Sequence, residues 1–290
     1  MLATAHAAND SASSSISTEI YRFIDERSGA LPVFNEVASR LRKAVDGPGG
    51  AADLEAIIQT DQVLAAAVLR AANSSFYGGL TAIKTIRAAV TRLGLQQLVQ
   101  IVFVVTEANR YQMKTASMKL VARRLWKHAT STAVSAQWLA RRLDLAPLAE
   151  EAFLAGLVHD IGKLAIAAAI DSMESEKGLQ LEEAVVNEIM DSLHTSAGIR
   201  LLEAWSIPDP YLSIVKQMHD ESGDGASPSL NLVRLADLAS RKAGLGTSAD
   251  SGVELIITPE AQALGATEII LAQLEIQLED WAESLDTMMG

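Results

Sequence analysis

The sequence predicts an all-α, two-lobed protein with a C-terminal amphipathic helix. Apolar residues recur at spacings of three and four through most of the chain, as on the buried side of a helix. Aromatic residues make up only 4% of it, whereas strands favour β-branched and aromatic side chains. Proline, which interrupts helices, occurs only 7 times in 290 residues. A chain of this length buries a substantial core.

Met1–Ser17 is rich in Ala, Ser, Asn and Asp and offers no apolar face, so residues 1–17 are predicted to be a disordered tail. It lacks the basic and apolar regions of a secretory signal, and His6 within it reads as a stray tail histidine. Helical spacing begins at Thr18, with Ile20, Phe23 and Ile24 inward and Ser17 or Thr18 as N-cap. Leu31-Pro32 breaks the chain. A second helix is predicted over Val33–Val45, closed by the run Gly47–Gly50. Asp53 can cap a third, carrying Leu54, Ile57 and Ile58. Gln59–Ala72 forms the next, with Val63, Leu64, Ala67, Val68 and Ala71 inward. Asn73–Gly79 combines side chains that bond backbone with glycines that end helices, which predicts a turn anchored by Phe76 and Tyr77. Ile83–Arg110 gives one or two helices, interrupted near Leu93-Gly94, and Ile101–Val105 is apolar on every side, as in a buried helix. These elements make a first lobe over residues 18–115.

The second lobe is expected over residues 116–245. Ser117–Leu145 places Leu120, Leu125, Ala129, Ala133, Ala136 and Leu143 on its inner side, with His128 close to that face. A helix over Pro147–Ile170 follows, then Leu181–Ser192 and Thr195–Trp205, with His194 just before the latter. Pro208 and Pro210 open Tyr211–His219, and a polar loop leads to Leu230–Lys242, which contains Asp237. The remainder, residues 246–290, begins a helix at Thr258-Pro259-Glu260. It then carries an apolar stripe of Leu271, Leu274, Leu278, Trp281, Leu285 and Met288. The stripe needs a partner: the protein's own body by default, otherwise a second copy in a homodimer or another protein.

The formal charge of −12 opposes general binding to nucleic acid or an anionic membrane. The absence of cysteine excludes disulfides, thiolate catalysis and Cys-type zinc sites. No run of about 18 apolar residues is evident, so no transmembrane helix is expected and a cytoplasmic protein is the simplest reading.

The chemistry concentrates in Glu150–Leu164. Phe153, Leu154, Leu157, Val158, Ile161 and Leu164 define one broad apolar side, and His159-Asp160 stands inside it. Burying an uncompensated polar group costs several kcal/mol, roughly. A hydrogen-bond network or a divalent transition metal compensates it, since imidazole and carboxylate are both good ligands.

This stretch, LAGLVHDIGKL, resembles the His-Asp helix of the HD superfamily of metal-dependent phosphohydrolases. LPVFNEVASRL at Leu31–Leu41 and LRAANSSFYG at Leu69–Gly78 narrow the likeness to the HDOD branch, over about Leu31 to Ala239. The resemblance implies an all-helical fold and a bacterial signalling role, through a partner protein or a small phosphorylated ligand. The alternative it implies is hydrolysis of a nucleotide or phosphoester. It matches His128 to the leading histidine of the fold, His159 and Asp160 to the central doublet and Asp237 to the closing aspartate. His194 and His219 match extra histidines of members that hold more than one metal, with iron, manganese or zinc as candidates. In active relatives water of lowered pKa attacks a phosphorus atom bridged to the ions. Asp160 and Lys163 are then the catalytic candidates, Lys163 to steady a phosphate. HDOD members are generally regarded as non-catalytic, which makes a regulatory module the first reading. The cyclic-di-GMP phosphodiesterase branch also carries His-His-Glu and Gly-Tyr-Pro. Here the segment reads Met218-His219-Asp220-Glu221 with no Gly-Tyr-Pro after Gly225, which argues against that substrate. Singly, each residue also has a structural reading. Asp160 and Lys163 could be a helix-surface ion pair, His128 part of a solvated basic face, and His194 part of a turn.

Overall fold

A computed structural model describes residues 2–27, 55, 58, 62–73, 82–94, 97–98, 101, 113–205, 207, 209–220, 226–246 and 249–289. Every regular element among these is a helix. The sequence readings at Val33–Val45, Gly47–Gly50, Asp53, Leu54, Ile57, Phe76, Tyr77 and Val102–Val105 lie outside the described residues.

The chain divides into two compact units, Met1–Leu31 with Gln112–Thr267, and Pro32–Tyr111 with Glu268–Gly290. This division differs from the predicted one in two places. The first helix belongs with the later part of the chain, and the C-terminal helix belongs with residues 32–111. Both are long-range pairings, on which local spacing is silent.

In the first unit, α1 runs from Leu2 to Arg27. Helix thus replaces the tail predicted over residues 1–17. The physical reason is composition: five alanines and no glycine or proline before Ser17 favour helix even without an apolar face. Ile20 and Ile24 are fully buried, and α1 packs on the helices Ile161–Lys177 and Glu183–Ala204. Its polar side adds Tyr21 to Ser196 at 2.6 Å and Arg200 to Asp25 at 2.9 Å. The latter pair is exposed and contributes little.

The central element is α4, Ala116–Arg142, which packs against α5 (Ala149–Val158), α6 (Ile161–Lys177) and α9 (Pro228–Lys242). From Thr130 to Gln137 every residue is buried, including Thr130, Ser131, Thr132 and Ser135. Small side chains suit a helix enclosed on several sides. Leu120, predicted inward, is exposed: in the early turns of α4 only one face is covered, that of Met118, Val121, Ala122 and Leu125, and Leu120 lies off it. Its N-terminus is held by Asp171, whose carboxylate accepts from the Lys114 and Thr115 amides at 2.9 and 2.8 Å. These bonds fix the N-cap residue Thr115 and the residue before it.

Two helix boundaries depart from the sequence reading. The predicted helix Pro147–Ile170 is broken into a 3₁₀ turn, Ala146–Leu148, then α5 and α6, with His159-Asp160 at the break. Conversely, α7 is continuous over Glu183–Ala204, so His194 lies mid-helix rather than before one. Its ring nitrogen Nδ1 bonds back to the Met190 carbonyl at 2.8 Å, so the polar run at Ser192–Thr195 is accommodated within the helix. Helices α8 (Tyr211–Gln217) and α10 (Pro259–Leu264) complete the unit. Thr258 caps α10 with Pro259 in its first turn, as predicted.

Ala146–Lys177 is long and apolar enough to cross a membrane, contrary to the expectation that no such run exists. In this structure 78% of its most apolar window is buried inside the protein. Its hydrophobicity is that of a core segment.

In the second unit, α2 spans Gln62–Ala72 and α3 spans Ile86–Leu93. Gly94, at φ 75°, ends α3 at the predicted interruption. Asn73 follows α2 and bonds both the Leu69 and Ile83 carbonyls at 2.8 Å. The C-terminal helix α11, Glu268–Met289, packs on α2. Leu271, Leu274, Leu278, Trp281 and Leu285 of its stripe are all buried, so the stripe docks on the protein's own chain.

Candidate metal centre

Six helices or their ends deliver the six predicted ligands of the first unit to one place. His128 comes from the middle of α4, His159 and Asp160 from the α5–α6 break, and His194 from α7. His219 comes from the turn after α8, and Asp237 from α9. They form two adjacent triads, His128 with His159 and Asp237, and Asp160 with His194 and His219, each with its donor atoms within 4.8 Å of one another. The solvated-face reading of His128 fails, since it is buried.

In the first triad His128 Nε2 lies 3.0 Å from Asp237 Oδ1 and 3.2 Å from His159 Nε2, and His159 Nε2 lies 3.8 Å from Asp237 Oδ1. An ion bonded at about 2.1 Å sets neighbouring donors about 3.0 Å apart at right angles and about 3.4 Å apart at the tetrahedral angle. The observed edges bracket that range. In the second triad Asp160 Oδ1 lies 3.8 Å from His194 Nε2 and 3.9 Å from His219 Nε2. These edges are wider, and the His219 side chain is 48% exposed.

The ring orientations match ligand duty. His128 Nδ1 donates to the Leu245 carbonyl at 2.9 Å, His159 Nδ1 to the Gly156 carbonyl at 2.7 Å, and His194 Nδ1 to that of Met190 at 2.8 Å. A carbonyl only accepts, so Nδ1 carries a proton in each ring and Nε2 is the atom turned toward the candidate metal positions, as a free lone pair wherever the ring is neutral. Asp160 is the N-terminal boundary residue of α6, yet its carboxylate makes no capping bond there. Oδ2 instead takes Lys163 Nζ at 2.6 Å, and Oδ1 is buried with no hydrogen-bond partner. An ion among the second triad would give that orphaned oxygen the partner it lacks. The residues present therefore fit a divalent transition metal. Lys163 is not a surface partner, for its side chain is only 13% exposed.

Burial pushes the Asp160 carboxyl up, but His159, His219, Lys163 and His128 more than offset it and hold it well below the usual range. Burial likewise raises Asp237, and the neighbouring His128 outweighs it. Burial depresses His159 and His194, and nearby carboxylates do not restore them, so both are neutral and ready to bind. His128 is the exception. Burial lowers it, but Asp237 and then Asp160 outweigh burial and raise it. A metal must therefore displace a proton from His128, and acid favours the proton. Metal affinity of the first triad should fall as pH drops through the raised His128 value, approaching about tenfold per pH unit for one competing proton. Chelator competition at about pH 8 and about pH 6 measures it, and equal affinity at both would contradict the assignment.

Three glycines bring the carrying elements together, and none of them was singled out from sequence. A Cβ on Gly162 would lie 1.8 Å from the His194 carbonyl oxygen, and one on Gly156 would lie 2.8 Å from Ala133 Cα. Gly246, at φ 139°, lies against the His128 ring, where a Cβ would stand 3.0 Å from Nδ1. The available signal was a glycine inside an apolar helical run, which asks for a close backbone neighbour.

The HDOD domain profile matches residues 31–221. An uncharacterized protein of Treponema pallidum (strain Nichols) is 23% identical over 233 residues, covering 77% of this chain and 45% of its own length. The chain thus spans under half of that relative. Among solved structures, an HDOD domain protein of unknown function from Geobacter sulfurreducens is similar at TM-score 0.61 and 20% identity, covering 94% of this chain and 96% of its own. A protein from Shewanella amazonensis SB2B, provisionally named a metal-dependent phosphohydrolase, has TM-score 0.61 and 20% identity over 90% and 99%. A provisionally named signal transduction protein from Marinobacter aquaeolei VT8 has TM-score 0.60 and 19% identity over 97% and 66%. At these identities the likeness is one of fold.

Proposed function

The chain belongs to the HDOD family, and from that premise we propose that it is a signalling module that holds divalent metal at the two triads and captures a small phosphorylated ligand there. One observation carries the reading: three buried histidines have Nδ1 fixed on backbone carbonyls and offer Nε2 to the two triads, His128 and His159 to the first and His194 to the second. Rings locked this way have already lost the rotamer freedom that ligand binding would otherwise cost. A bound divalent ion supplies Lewis acidity toward a phosphate oxygen. Asp160 spans the two triads, with Oδ2 3.6 Å from His159 Nε2 and Oδ1 toward His194 and His219. Lys163, now paired with Asp160, supplies an ammonium within reach of an anionic ligand. The partly exposed His219 marks the side from which such a ligand enters.

The second reading is hydrolysis of a phosphoester, favoured by the completeness of both triads. Metal analysis of the purified protein, followed by calorimetric titration with a panel of nucleotides and phosphoesters, tests the first. Metal-dependent binding with negligible turnover is the expected result. Rapid release of phosphate or nucleoside would transfer the assignment to hydrolysis. Protein that neither retains metal nor binds any phosphorylated compound would refute both.

A further inference from the structure

His219 differs from the other three histidines of the centre. It sits on a turn rather than within a helix or at a helix end fixed by a ring bond, and among the described residues no backbone carbonyl anchors its ring. Something else must set its position, because a ligand misplaced by about 1 Å cannot share an ion whose bonds are only about 2 Å long. Arg234, on α9, is aimed at that turn. Its Nε donates to the Met218 carbonyl at 3.1 Å, and its Nη2 donates to the carbonyls of Asp220, at 2.6 Å, and Gln217. These three carbonyls surround His219 in sequence; that of Gln217, the last residue of α8, also accepts the Asp220 amide at 3.0 Å, so the guanidinium reinforces a turn the backbone begins to close. A guanidinium serves several carbonyls with one planar group, which a lysine ammonium on a flexible stem does poorly. Met218, within the turn, is itself buried.

We propose that Arg234 is the positioning residue of the second triad: by clamping the 217–220 turn it holds His219 where an ion shared with Asp160 and His194 requires it. Arg234 stands three residues before Asp237, a ligand of the first triad, so both lie on one side of α9. A single helix therefore carries a ligand for one ion and the clamp for the other. The proposal rests on the metal-binding reading above.

The test is metal stoichiometry of wild type, Arg234→Gln, Arg234→Lys and His219→Ala after equilibration with manganese or zinc, alongside hydrogen exchange of the 217–220 amides in metal-free protein. Arg234→Gln should match His219→Ala, losing one ion per chain and retaining the other, and should accelerate exchange at 217–220 alone. Arg234→Lys should restore the second ion in part, at weakened affinity. Retention of both ions by Arg234→Gln overturns the clamp while leaving the metal reading intact. Loss of both ions makes Arg234 a general structural prop and overturns it too. Wild type without a second ion overturns both this inference and the two-triad reading.

Discussion

Replacing His159 and Asp160 together by Ala should leave a folded protein that retains no metal. The doublet straddles the two triads, His159 in the first and Asp160 in the second, so each candidate ion loses one of three protein ligands. Removing even an outer partner of a ligand costs about 10–100-fold in affinity, and removing the ligand itself costs more. The remaining pairs, His128 with Asp237 and His194 with His219, cannot hold an ion through gel filtration. Elemental analysis before and after desalting reads the result. Metal retained at the wild-type level would mean the triads are not the binding site. If wild type holds none, the substitution should change only stability, by about 1 kcal/mol for each lost hydrogen bond.

Gly162→Ala should cost about 3 kcal/mol, at the upper end for one added methyl in a packed interior. The new Cβ would stand 1.8 Å from the His194 carbonyl oxygen and 2.6 Å from the Gly198 amide nitrogen. Both are backbone atoms within a continuous helix, so no side chain can swing aside, and α6 must move off α7. The same displacement separates Asp160 from His194, so weakened metal binding should accompany the lower melting temperature. Urea denaturation of the metal-free variant isolates the packing cost from the loss of metal. A change below about 0.5 kcal/mol would show that the two helices do not approach this closely.

The centre was legible because its cost was local. An adjacent His and Asp in an apolar run demands compensation wherever the chain folds, and Asp237 on α9 poses the same demand. Family resemblance then named the companions, and the geometry groups all six. What escaped the sequence has physical reasons. Polar residues at Ser192–Thr195 look like punctuation, but the His194 ring satisfies itself on the turn before it and the helix runs on. The break at His159-Asp160 was hidden by unbroken apolar spacing on either side. Arg234 was invisible because its partners are main-chain carbonyls, which every residue has. The unit to which α1 and α11 each belong was not legible for a different reason: amphipathic spacing says that a helix has a partner, and nothing about which.

The pairing of α11 with α2 also sets an order of events during synthesis. The apolar surface of α2 leaves the ribosome long before Leu271, Leu274, Leu278 and Trp281, which pack in the same unit, have been made. At about 5–20 residues per second the interval is some tens of seconds. For that time the unit formed around residues 32–111 lacks its last helix, and its unmatched apolar surface is open to aggregation or to a chaperone. Depleting holdase chaperones is therefore expected to lower the soluble yield of this protein, which expression in a holdase-deficient host would read.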